Sequence, residues 1–255
     1  MSLRTLLILL FVLFSGPRFL GANDLLPSQE GLELRIKRAE EDAKRTHFAF
    51  YWHDLGTLYR EAKRWEDAIK AETQSIEEFA RNAKTYSKQA LEFHGSEYPY
   101  GYYGRAKAWM AKKDFKAALK DFSKAIQLWE RKHGVEYYVT EEYPKEEYVD
   151  SYRTRGMAWA NEGDYGKGVD DLSIAIKLRK NDPILYYERA YLEEKAGHPE
   201  KAAESYLKSG LLYLDSGNKS KAQEYVKKLS ELGNAQKSRE LENRIKEKEP
   251  LSDLP

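Results

Sequence analysis

The side chains able to do acid–base or metal chemistry are thinly spread in this sequence. Its five histidines, His47, His53, His94, His133 and His198, fall in different stretches, and there is no cysteine. His47 and His53 lie six residues apart on what reads as one helix, off the i, i+4 spacing that sets two imidazoles over one metal. No HExxH, no GxSxG and no phosphate-cradling glycine loop appears. The abundant carboxylates fall on the polar faces of helical stretches, where they are solvated. The reading is therefore a non-enzyme with no metal and no cofactor. One pairing does recur. Arg105 and Asp121, Arg155 and Asp171, and Arg189 and Ser205 each stand sixteen residues apart, while Leu55 and Ala71 hold the same places earlier in the chain. Arg keeps company with Asp, and Leu with Ala. That pattern predicts an Arg–carboxylate bridge between two helices ahead of a row of phosphate-reading arginines.

The elements that must position those pairs are helix hairpins. Residues 148–180 read as two short amphipathic helices joined at Gly163-Asp164. Tyr152, Arg155, Gly156 and Trp159 share one face of the first, and Gly168, Leu172, Ala175 and Ile176 share one stripe of the second. Neither helix can bury its stripe alone, so the hairpin needs neighbours. The same design recurs with Trp52, Gly56, Tyr59 and Ala68, with Tyr102, Ala106, Trp109, Phe115, Ala118 and Phe122, and with Tyr186, Ala190, Gly197, Ala202 and Tyr206. Asp114 and Asp164 fit helix N-caps, and Pro183 and Pro199 fit a first helical turn.

This spacing of aromatic, small and alanine positions resembles the tetratricopeptide repeat (TPR), a 34-residue helix–turn–helix unit. The resemblance implies an all-α, TPR-like α-solenoid of antiparallel hairpins across residues 32–248. Repeats fall near 49–82, 99–132, 149–182 and 183–216, with a half-repeat at 217–232 and a polar capping helix at 235–247. The array is irregular. Gly156 and Ala190 are 34 residues apart, but Gly56, Ala106 and Gly156 are separated by 50 each. The first surplus keeps Phe79, Ala83, Tyr86 and Ala90 in helical phase and reads as an overlong second helix. The second, with Gly134 and Pro144, reads as a long inserted loop, with a loop holding a short helix as the alternative. Ahead of the array, an unbroken apolar rhythm from Leu32 to Phe50 predicts a single long helix feeding the first hairpin, after a mobile leader at 23–31. Residues 249–255 read as a flexible tail.

The N-terminus has the layout of a secretory signal peptide over residues 1–22: a basic start at Arg4, an apolar run from Leu6 to Phe14, and small residues at Gly21-Ala22 for cleavage. An uncleaved anchor is the alternative. Cleavage after Ala22 removes Arg4 and Arg18 and moves the net charge from +1 to −1, so nothing general favours nucleic acid or stable membrane insertion. Export without cysteine fits a bacterial periplasmic or secreted chain, held together by burial alone.

In the family that the repeat resembles, the first helix of each unit lines a concave groove. Carried over, that implies exposed groove positions at Phe50, His53 and Thr57, then Tyr100, Tyr103 and Lys107, then Asp150, Arg153 and Met157, then Tyr187 and Tyr191. Rings with a few charges suit a protein or peptide partner laid along the groove in an envelope adaptor or assembly factor. The alternative is a self-filled groove, plugged by residues 131–148, in a structural component that associates with itself as a homo-oligomer or with a larger complex.

Overall fold

The chain's architecture comes from a computed structural model that describes residues 29–83, 98–137 and 146–248. Among these residues there are eleven helices and no strand. They are α1 (Gln29–Thr46), α2 (Ala49–Glu61), α3 (Trp65–Asn82), α4 (Pro99–Ala111), α5 (Phe115–Tyr137) and α6 (Glu146–Asn161). Then come α7 (Tyr165–Leu178), α8 (Pro183–Lys195), α9 (Pro199–Asp215), α10 (Lys219–Glu231) and α11 (Ala235–Glu247). Each packs against the next along the chain, while α2, α4 and α6 also touch one another in series. The result is a solenoid with one layer of first helices and one of second helices.

The turns show why the hairpins repeat. Lys63, Lys113, Gly163, Gly197, Gly217 and Gly233 all adopt positive φ at the same place, one residue before the next N-cap. That left-handed residue is free for glycine and costs roughly 1–2 kcal/mol for lysine. Asp114, Asp164, Asn218 and Asn234 then accept a hydrogen bond from the N–H three residues on, which caps the following helix. Pro99, Pro183 and Pro199 open α4, α8 and α9, where a missing N–H is harmless.

Small residues let the helices of a hairpin approach. A Cβ on Gly156 would sit 2.9 Å from the Gly168 carbonyl oxygen, and one on Gly168 would sit 2.8 Å from that of Gly156. The α6–α7 crossing is backbone against backbone. Around it Phe122, Trp129, Tyr148, Tyr152, Leu172, Leu185 and Leu192 form one buried cluster joining three successive hairpins. A second cluster gathers Ala202, Tyr206, Tyr225, Leu229, Leu241 and Ile245, so α9 serves both α8 and the terminal pair α10–α11. A third ties Ile36 and Ala43 of α1 to Leu55, Tyr59 and Ala68.

Three expectations about the irregular parts need correction. The N-terminal run is two helices: α1 stops at Thr46, His47 turns to φ 56° and α2 starts at Ala49. No glycine or proline signals this break. It is held from outside, because Asn82 at the end of α3 donates to the His47 carbonyl at 2.8 Å. The leader is shorter than expected, since α1 begins at Gln29 and Gly31 is already buried. The second surplus begins as helix: α5 runs through Gly134 to Tyr137. An interior glycine costs a helix only about 1 kcal/mol, less than the buried Ile126 and Trp129 contribute by anchoring the preceding turns. The overlong helix expected beyond Ala83, the rest of the second surplus at 138–145, the tail and the N-terminal 28 residues lie outside the described residues.

Candidate functional site

The recurring Arg–Asp spacing proves to be a bidentate clamp. Arg105 Nε and Nη2 donate to Asp121 at 2.7 and 2.9 Å, and Arg155 Nε and Nη2 donate to Asp171 at 2.8 and 2.7 Å. The third guanidinium nitrogen reaches back one hairpin, from Arg105 to Thr73 Oγ1 at 3.1 Å and from Arg155 to Ser123 Oγ at 3.2 Å. Each arginine thus joins its own two helices and the preceding second helix. Arg189 donates to Ser205 at 3.0 Å, and Ser205 donates to the buried Glu193 at 2.7 Å. Burial opposes a charge on Arg155, but the Asp171 hydrogen bonds and charge outweigh it and hold the guanidinium protonated. These arginines are structural. The spacing had suggested as much.

The expected groove positions are brought into one row along α2, α4, α6 and α8, and their side chains largely engage one another. Tyr103, expected to be exposed, is 8% exposed; its hydroxyl donates to Asp150 Oδ2 at 2.7 Å, and Lys107 Nζ donates to the same oxygen at 2.9 Å. Burial works against a charged Asp150, yet the Lys107 charge and the hydrogen bonds from Lys107 and Tyr103 keep its carboxyl below the ordinary value. One hairpin on, Arg153 clamps Glu188 bidentately at 2.7 and 2.5 Å. Lys107, Asp150, Arg153 and Glu188 therefore alternate in sign along the row, each charge met. Met157 is half-buried. Phe50 tilts on Tyr51 at 4.1 Å, and Tyr100 meets Trp129 edge-on at 5.7 Å. Tyr187 and Tyr191 remain open, 43% and 40% exposed.

His53 opens on a cluster that the motif search missed. Its Nδ1 lies 2.9 Å from Glu72 Oε2, and Arg60 donates to Glu72 Oε1 and, at 2.9 Å, to Thr57 Oγ1. Glu72 is wholly buried. Its slot exists because Gly56 and Gly104 face it; a Cβ on Gly56 would come within 2.8 Å of the carboxylate stem, and one on Gly104 would overlap Oε1. Burial resists protonation of His53, but the charge and hydrogen bond of Glu72 prevail, with a smaller opposing effect from Arg60, and its pKa lies above 6.5. A signal was available. In register with the other hairpins, Glu72 occupies the place of Phe122, Leu172 and Tyr206.

Among the described residues no group of three or more His, Cys, Asp or Glu could hold a metal ion, and no helix is long and apolar enough to cross a membrane. Comparison with known proteins speaks to the fold. No protein-family model matches the sequence, and no curated protein matches it either. Solved structures do match. A crystal structure of MamA superposes with a TM-score of 0.58 at 15% identity, over 78% of this chain and 99% of that one. The apo form of RapI gives 0.62 at 11%, over 86% and 76%. A putative kinesin light chain of Podosopora anserina, described as having nearly identical TPR-like repeats, gives 0.54 at 16%, over 77% and 92%. The fold is TPR-like. At these identities the likeness shows the architecture alone.

Proposed function

We propose that this TPR-like chain is a non-catalytic scaffold that binds a protein or peptide segment along the row of first helices. The observation that carries this reading is that row itself. Residues from four hairpins stand in one register, with their charges already matched to one another and with aromatic side chains left open at its C-terminal end. Matched charges give no field for gathering polyanions, which favours a polypeptide partner over nucleic acid. The open rings are the kind of side chain that dominates binding energy in protein interfaces. The signal-like residues 1–22 extend the proposal to an exported adaptor or assembly factor of the envelope. A self-filled groove in a self-associating component is the competing outcome.

Affinity purification of the full chain from its native envelope, beside a Met157→Ser/Tyr187→Ser/Tyr191→Ser variant, tests the reading. The native chain should retain partners that the variant loses, with unchanged helical circular dichroism. Recovery of identical partners by both would overturn the groove. N-terminal sequencing of the exported chain should begin at Asn23, and an intact Met1 would overturn cleavage.

A further inference from the structure

Five large hydrophobic side chains are exposed among the described residues, and three of them, Ile184, Tyr187 and Tyr191, lie on α8. At 100° per residue these three, followed by Lys195, fall on one narrow stripe, spaced three, four and four. The flanking carboxylates are occupied. Glu188 is clamped by Arg153, and Glu194 accepts from Tyr206 at 3.0 Å and pairs with Lys228 at 3.2 Å. Lys195 differs from every cation along the inner row. It is exposed, its ammonium sits 5.5 Å from the Tyr191 ring centroid, and among the described residues it has no carboxylate partner. The stripe is thus an apolar track ending in a positive charge that no carboxylate among the described residues meets.

Resting on the reading of the groove as a polypeptide site, we infer that α8 is its specificity-determining wall. The occupant is an amphipathic segment whose row of apolar side chains ends in an acidic residue against Lys195. Apolar partner side chains would cover Ile184, Tyr187 and Tyr191, removing the exposed hydrophobic surface from water. The acidic residue would meet Lys195 at the rim, where a charge pair sets orientation and partner choice more than raw affinity. From Ile184 to Lys195 the stripe is about 16 Å long, which three helical turns or about five extended residues span. A basic segment of the same shape would place like charges together and be rejected.

Panning the full chain against displayed random twelve-residue peptides reads this directly. Selected peptides should carry apolar or aromatic side chains followed or preceded by Asp or Glu at one end. Tyr187→Ser/Tyr191→Ser should weaken them about tenfold or more. Lys195→Glu, an exposed substitution that leaves folding intact, should turn selection toward Lys or Arg at that end. If the selected peptides ignore the α8 substitutions but are lost on Lys107→Ala/Met157→Ser, the α8 inference falls while the groove reading survives. If no peptide is enriched, or binding ignores both sets, the two fall together. An unaltered acidic preference in Lys195→Glu overturns the role of that lysine alone.

Discussion

Residues 72 and 172 stand in the same register of two hairpins, both wholly buried, yet one is glutamate and the other leucine. In the third hairpin the leucine packs beside the glycine-on-glycine crossing of α6 and α7, and the hairpin's charges sit apart in the Arg155–Asp171 clamp. In the first hairpin Leu55 and Ala71 replace that clamp, and the charges move one position along into the core itself. Glu72 is tolerated there because His53 and Arg60 meet both its oxygens and because Gly56 and Gly104 leave it room. Gly104 belongs to the next hairpin, and its counterparts Asp54, Thr154 and Glu188 all carry larger side chains. A repeat position is therefore not bound to one residue class. What it accepts depends on whether its neighbours supply partners and space.

Making the first hairpin resemble the third is the most severe way to break this contrast. Glu72→Leu should cost about 3–5 kcal/mol, because it takes the buried carboxylate away from Arg60 and His53. Adding His53→Tyr and Arg60→Met, the residues at those places in the second hairpin, should recover most of the loss. Urea denaturation of the single and triple variants measures both, and an equally unstable triple variant would mean that packing alone governs the site. Next in size, Gly168→Ala should destabilise by about 1–3 kcal/mol, since the new Cβ meets the Gly156 carbonyl, which cannot swing aside. A thermal midpoint equal to the native one would show that the crossing can open.

Smaller effects sharpen the comparison. Replacing the left-handed lysine of the second turn by the glycine found in the third, Lys113→Gly, should stabilise by about 0.5–1 kcal/mol in denaturant titration. His53 gives the first hairpin a pH dependence near neutrality, whereas the third hairpin holds no histidine. With its folded pKa above 6.5, its contribution is complete below 6.5 and fades as pH rises through the folded value. Native stability should therefore decline over that window by more than in His53→Gln, and parallel curves would contradict the pairing.

Much of the fold was readable from periodicity and spacing. The hairpin helices and their aspartate caps arise within one or two helical turns of local pattern, and the sixteen-residue Arg–Asp pairing shows itself by recurring from hairpin to hairpin, so the sequence alone carries them. The break at His47 was not readable, because Asn82, 35 residues away, holds it. Nor did a motif search reach Glu72, whose partners lie 12 and 19 residues back and whose slot is completed by another hairpin. Comparing hairpins column by column would have exposed it as a carboxylate among Phe122, Leu172 and Tyr206.

The groove divides along the same line. Sequence by itself determined that His53, Tyr103, Arg153 and Tyr187 share one register, since that follows from the hairpin spacing. Only the tertiary structure decided that Tyr103 is covered, Arg153 is clamped and Tyr187 is open. Helical periodicity reports which side chains share a face of one helix. Whether that face meets solvent depends on what the following hairpin lays against it: Asp150 over Tyr103, Glu188 over Arg153, and beyond α8 only the edges of Tyr206 and Tyr225 beside Tyr187.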